Sequence, residues 1–471
     1  MSTLIWKDLR HHASEWLWSL LVATVGGTIV GVVITSWWSA VQWSLAHPDG
    51  PYMLASNILG SNMVGYIGIS TAIVISTTLG LTVTAQQRSY SLWKVLGIPG
   101  RRIRSVILWQ VCAVGLVGGL LGGLLALPTA RVYLLTWREF NLFPDDLPLS
   151  MPLFGIPATM LVTALFSVLG GLGAARRAAN VPEMQALREA TSPRSRTKLW
   201  QWIAAGFFLI PVVLMPILIN LPPEALHSDY TPEMPDVPTE AATTDFESPG
   251  DRAVLGGGIG LMVALAALFI PNWTVRPLLI GWTSLIPGRS PAWFAARANA
   301  RHRSAFSLTT IVPFAIAVAM TGVFYTVANA GRAAGGMHGG VNGFLTIMVP
   351  IFFVAGAGGI ANIAMVGRTR RQEGALLGVL GARSGTILGS TILEGAIYAI
   401  TGILFGLAMT LLSAISAALM SGGGMEVFIG SIPVTTLLPA IGASLMLAIT
   451  TTWLPAQLDR RPVMENLRQP V

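Results

Sequence analysis

Arg88-Ser-Tyr-Ser-Leu-Trp-Lys-Val-Leu-Gly97 and Gln372-Glu-Gly-Ala-Leu-Leu-Gly-Val-Leu-Gly381 stand 284 residues apart and share one design. Each is too short and too polar to cross a bilayer. Leu92, Val95 and Leu96 nevertheless fall at helical spacing, as do Leu376, Val379 and Leu380, with Lys94 on the opposite face. Gly97 and Gly381 supply the left-handed position that ends a helix, and Pro99, Arg101, Arg102 and Arg104 lie beyond the first stop. The pattern predicts a short amphipathic helix between two membrane spans in each case. Such a helix either rests on lipid headgroups or docks a partner outside the membrane, and its duplication favours docking.

Outward from these segments the chain is apolar. Of 471 residues, 53% are hydrophobic and 11% charged, against about 25% charged in a soluble domain. This excludes a soluble enzyme and a disordered chain alike. Ten apolar stretches are long enough for a hydrocarbon core of about 30 Å, near residues 16–42, 60–85, 106–128, 151–175, 200–220, 253–271, 304–328, 343–366, 386–415 and 432–454. With the N-terminus inside, 25 of the 29 lysines and arginines fall on inward segments, and only Arg131, Arg138, Arg252 and Arg332 fall outside. The positive-inside rule then places both termini in the cytoplasm. The net charge of +8 belongs to topology and anionic lipid rather than to nucleic acid. Lys7 and Arg10 precede a run too long for a cleaved signal, which reads as a retained anchor. The single cysteine, Cys112, reads as a small core residue, so no disulfide framework or thiolate metal cluster is expected.

The repeat extends well beyond the short helices. From Leu92 to Gly122 the gapless alignment with 376–406 holds eight identities over 31 positions, including Gly118 with Gly402 and Gly122 with Gly406. Pro182, Met184, Leu187 and Arg188 match Pro462, Met464, Leu467 and Arg468, and Arg10-His11 matches Arg301-His302. Three landmarks in one order define two four-helix units, 1–197 and 291–471, joined by a helix pair within 198–290. Two intervening spans return the chain to the side it left, so the units run parallel about an axis along the membrane normal. The expected fold is an all-α polytopic membrane protein of ten transmembrane helices.

The stretch Arg371-Gln-Glu-Gly-Ala-Leu-Leu-Gly-Val-Leu-Gly-Ala382 resembles the signature of FtsX-like, MacB-type ABC transporter permeases. The chain is similar to that family also in its four-helix unit, in an acid early in the third helix of the second unit, Glu394, and in the tail ending Leu187-Arg188 or Leu467-Arg468. The first copy departs from the pattern, with Ser89 in place of Glu373 and Gln110 in place of Glu394. The resemblance implies two copies of a cytoplasmic ABC ATPase that bring ATP and Mg, docking on Arg88, Leu92, Lys94 and Leu96 in one unit and on Arg371, Glu373, Leu376 and Leu380 in the other. It also implies a location in the bacterial plasma membrane. The chain has no phosphate-loop motif of its own and is expected to hold no cofactor. The arrangement resembles the bacitracin-export-type permeases without their large extracellular domain.

Gln110 and Glu394 are intramembrane polar residues at matching places. A charge at the bilayer centre costs about 2.5–3.5 kcal/mol, so Glu394 serves either as a hydrogen-bonding acid or as a proton relay. Gly118, Gly122, Gly402 and Gly406 permit close helix approach, expected between the two halves. Loop 221–252 carries eight acids against Arg252 alone, either because basic residues are excluded outside or as an antenna for a cationic peptide. His47, His227 and His338 show no metal-ligand spacing. The leading function is the membrane subunit of an exporter acting on a hydrophobic or amphipathic molecule, such as an antimicrobial peptide or a lipid. An ion-coupled secondary transporter using Glu394 and a non-transporting transmitter of force are the alternatives.

Overall fold

The computed structural model describes residues 13–46, 71–83, 86–138, 149–179, 199–219, 248–288, 290–302, 304–335, 353–362, 365 and 377–458. Among them every regular element is helical. In chain order these are α1 (Ala13–Ala46), α2 (Thr71–Val83), α3 (Gln87–Val95), α4 (Gly100–Arg138), α5 (Gly155–Ala179), α6 (Leu199–Ile219) and α7 (Pro249–Phe269), followed by α8 (Pro271–Leu285), α9 (Pro291–His302), α10 (Ser304–Ala333), α11 (Phe353–Asn362), α12 (Ser384–Ser421), α13 (Gly424–Ser431) and α14 (Val434–Leu458). Among the described residues, seven candidate spans are long and apolar enough to cross a membrane. They correspond to α1, α4, α5, α7, α10, α12 and the α13–α14 stretch. Shorter apolar helices at Thr71–Val83, Gln201–Leu214 and Phe353–Asn362 fall within the other three stretches expected from hydropathy.

The long helices start from matched backbone devices. Gly97 takes φ +83° and Gly381 φ +90°. In the first, the Gly97 and Ile98 amides donate to Lys94 O and Trp93 O at 2.9 and 3.0 Å, and in the second, the Gly381 and Ala382 amides donate to Gly378 O and Leu377 O at 3.0 and 2.9 Å. A left-handed glycine closing the orphan carbonyls is the Schellman ending. Pro99 O then accepts from the Arg102 and Ile103 amides, as Arg383 O does from those of Thr386 and Ile387, and opens a helix of 39 or 38 residues. At 1.5 Å per residue these reach about 58 Å, well beyond the hydrocarbon core. Elsewhere Ser248 caps α7, its hydroxyl accepting the Asp251 amide at 3.0 Å.

Glycines set how the long helices pack. A methyl built on Gly118 would meet Ala23 and Thr24 of α1, one on Gly122 would overlap Gly27 and Thr28, and one on Gly31 would come 2.6 Å from Ala126 Cβ. Between α12 and α10 the same three layers recur: Gly402 on Phe314 and Ala315, Gly406 on Val318 and Ala319, and Gly322 on Thr410. The offset is 284 residues on the longer helix and 291 on the other, the latter equal to the Arg10 to Arg301 spacing. Contrary to the expectation of contact between halves, all four sequence-marked glycines pack within their own half. Gly115, Gly119 and Gly123 face α5 instead, against Ala164, Met160 and Ile156. The reason is geometric: residues 115 and 118 point to different sides of one helix, so α4 is gripped by α1 on one side and α5 on the other.

The halves meet through α2 and α11. A methyl on Gly358 would run into Val74, and these two positions are themselves 284 apart. Close by, the Thr82 hydroxyl approaches Ser19 on α1 and Met365 Sδ at 3.2 Å. The joining helices are not a neutral linker. α7 packs on both α10 and α12, where Ser413 and Ser416 donate to Gly257 O and Gly256 O at 2.8 and 2.6 Å. α8 joins the same half through Trp282 Nε1, which donates to Thr401 Oγ1 at 2.9 Å, while α6 lies outside α7 with most of its apolar side chains exposed.

Candidate functional site

The α3 segment is a short helix pinned by one aromatic. Tyr90 is fully buried, its hydroxyl donating to Gln86 Oε1 at 2.6 Å and lying 3.4 Å from Gln110 Oε1 on α4. Its ring meets Trp93 edge-on, with centroids 5.5 Å apart. Burial of this side forces the sequence-marked apolar side outward: Leu92 is 53% exposed and Leu96 78%. Val95 follows them, while Lys94 is half-buried between the two sides. In solution such an outward row is a place where a second protein buries apolar surface.

Residues 377–381 repeat that ending, with Leu380 83% exposed and Val379 beside it. Leu96 and Leu380, at matching positions, thus form two similar apolar tips. Of the other docking candidates, Arg371, Glu373 and Leu376 lie outside the described residues, as does the side chain of Arg88. His47, His227, His338 and all but the last few residues of the acidic loop 221–252 lie outside them as well.

The intramembrane pair sits one layer deeper. Gln110 is fully buried and Glu394 only 4% exposed. Glu394 Oε1 accepts from the Tyr398 hydroxyl one turn along at 2.5 Å, and that hydroxyl lies 3.3 Å from Ser307 Oγ on α10. Both polar groups therefore face a tyrosine hydroxyl, supplied by α3 in one half and by α12 itself in the other. The consequence differs: Gln110 connects α3 to α4, whereas Glu394 connects α12 to the start of α10.

A family comparison adds to this geometry. Residues 61–182 match the family model described as FtsX-like permease C-terminal. Over that stretch the chain is similar to FtsX-like permeases. No curated protein matches the chain. The FtsX-like stretch takes in α2 through α5, and so includes Tyr90, the exposed tip of α3, Gln110 and the glycines of α4. The sequence signature stood out at 371–382, yet the family match falls on the first copy, which lacks both acids. Within the matched stretch lie the short helix α3, its glycine stop and the long glycine-lined α4.

Three groups escaped the reading of the sequence. Tyr90 and Tyr398 carried a signal, each being an aromatic hydroxyl near an intramembrane polar residue, but in different registers that alignment could not pair. Arg301 served only as a repeat landmark. In the structure its guanidinium clasps α8, donating to Ile280 O at 2.8 Å and to Thr283 Oγ1 at 2.9 and 3.0 Å. Burial, and then the neighbouring Arg297, lower its pKa from the ordinary guanidinium value.

Proposed function

We propose that the protein is the membrane subunit of an ABC transporter whose two halves act as a fused pair of FtsX-like units. Each half would receive one cytoplasmic ATPase that brings ATP and Mg. The observation that carries this reading is the pair of exposed apolar tips at Leu96 and Leu380, each closing on a left-handed glycine, the first of them inside an FtsX-like match. Support for the fused pair comes from the three repeated glycine layers, and from Val74 meeting Gly358, since equivalent positions meet each other only across a twofold axis. Both termini then lie in the cytoplasm and the chain in the bacterial plasma membrane.

The route for force follows from the contacts. ATPase closure pushes α3, Tyr90 passes the displacement to α4 through Gln110, and α4 moves α1 through backbone contact at Gly118 and Gly122. Glycine contacts transmit motion well because no flexible side chain lies between the backbones. The apolar outer faces of α4 and α6 suit a substrate that arrives from the lipid, hydrophobic or amphipathic, such as a lipid or a cationic antimicrobial peptide. Export or extraction from the membrane is the corresponding work.

The decisive measurement is copurification from native membranes of Leu96→Ser, Leu380→Ser and the double variant. Each single change should weaken retention of an ABC ATPase, and the double change should abolish it with unchanged membrane insertion. Retention at the wild-type level in the double variant removes the docking assignment.

A further inference from the structure

We propose that a cleft at the start of α4 binds an anionic phospholipid, and that this site exists in the first half alone. The cleft measures about 500 Å³ and is lined by Arg101, Arg104, Ser105, Leu108, Trp109 and Cys112. These residues share one face of α4, at intervals of three and four. Their order along the helix is chemical: two guanidiniums and a hydroxyl in the first turns, then aliphatic, aromatic and thiol side chains in the next two. That sequence of polarity matches a phospholipid from phosphate to glycerol to acyl chain.

Charge and depth agree with the assignment. Arg101 and Arg104 share the cleft, and arginine holds a phosphate by paired donors. Trp109, 63% exposed, stands one to two turns further along, the level at which tryptophan anchors at a membrane interface. The start of α4 lies beside α3, so the headgroup belongs to the leaflet on the α3 side.

The second half provides an internal control. At the matching positions α12 carries Gly385, Leu388, Gly389, Ile392, Leu393 and Ala396, with no cation among them. There α9 lies against α12, and a methyl on Gly389 would rest 3.4 Å from Ala292 Cβ. α9 shields part of the face in the second half, where the matching residues carry no charge, and in the first the same face presents two arginines above an apolar slot.

Cys112, the chain's single cysteine, lines the cleft and serves as a native reporter. The test uses the full chain in detergent micelles, supplemented with phosphatidylglycerol, phosphatidylcholine or inorganic phosphate. Two quantities are read: lipid retained in native mass spectrometry, and the rate at which maleimide modifies Cys112. Phosphatidylglycerol should be retained and should slow the modification, whereas phosphatidylcholine and inorganic phosphate should do neither. Arg101→Gln with Arg104→Gln should reduce retention by about thirtyfold, the effect expected for two interfacial cations, and should remove the protection. Arg102→Gln, on an exposed neighbour outside the cleft, should behave as wild type and verifies folding. Equal retention of both lipids, protection by inorganic phosphate, or undiminished protection in a double variant that elutes as a folded monodisperse species would each overturn the proposal.

Discussion

α4 and α12 begin with the same backbone device, run to nearly the same length and are gripped by the same glycine layers, yet they meet different surroundings. Leu121 is 40% exposed where its counterpart Phe405 is 3% exposed. Val117, Thr129 and Val132 are open where Thr401 and Ser413 are buried and Ser416 is half-buried. The composition follows the environment: hydroxyl groups stand where α7 accepts and α8 donates hydrogen bonds, and most of the open positions are aliphatic. The backbone arrangement thus recurs while the outward side of each half differs, open on α4 and met by α7 and α8 on α12. On the proposed reading fold and function separate along the same line: the shared inner layers would carry force, and the divergent outer faces decide what each half touches.

The comparison breaks most severely at the shared layers. Gly122→Val forces a branched side chain into the Gly27–Thr28 backbone, and Gly406→Val does the same against Val318 and Ala319. Overpacking of this kind costs about 1–3 kcal/mol, so both variants should lose most folded, monodisperse protein in size-exclusion chromatography. Gly442→Ala, with open space around it, should lose none. A tolerated Gly122→Val beside a ruinous Gly406→Val would show that the two halves do not pack alike.

A smaller effect is expected on the divergent faces. Ser413→Val removes the donor to Gly257 O and crowds Gly260, where Ser413 already touches the position of a methyl. Interhelical hydrogen bonds in membranes are worth about 0.6–1.7 kcal/mol, and a thermal shift of a few degrees should register the loss. Thr129→Val, at the exposed counterpart whose hydroxyl bonds only its own helix, should leave the transition unmoved. Equal shifts in the two would dismiss the contrast between a lipid-facing and a protein-facing side.

The mildest case concerns the buried polar pair. Glu394→Gln keeps an oxygen for the Tyr398 hydroxyl and reproduces the residue present at Gln110. Its substrate-stimulated ATPase activity and transport in lipid vesicles should stay near wild type, whereas Glu394→Leu removes the acceptor of the Tyr398 hydroxyl and should lose part of both. Abolished transport in a well-folded Glu394→Gln protein would instead require a titrating acid, and would revive ion coupling.

Much of this architecture was legible before any coordinates. The apolar runs mark the helices because a hydrocarbon solvent demands long apolar segments, and the Leu-Gly endings mark the short helix α3 and the matching stop at Gly381 because a left-handed stop needs glycine. The partners of the glycines were not legible. A small-residue face announces close approach and is silent on which helix approaches: the expected contact between halves gives way to contacts of Gly118 with α1 and Gly402 with α10. The position of α7 was equally hidden, because Gly256, Gly257 and Gly260 read as an ordinary apolar span until Ser413 and Ser416 are seen donating to that backbone. Tyr90 went unnoticed since burial of one tyrosine in a nine-residue polar helix leaves no periodic trace.

The meeting of Val74 with Gly358 bears on how such a protein can change over time. In a symmetric homodimer the residue on the axis faces its own copy, so valine would collide with valine and glycine would leave a gap. Holding both sides in one gene lifts that constraint, allowing a knob on one side and a hole on the other. Complementarity of this sort ties each half to its neighbour's shape: neither could pair well with a duplicate of itself, and the two are committed to being inherited, synthesised and altered together.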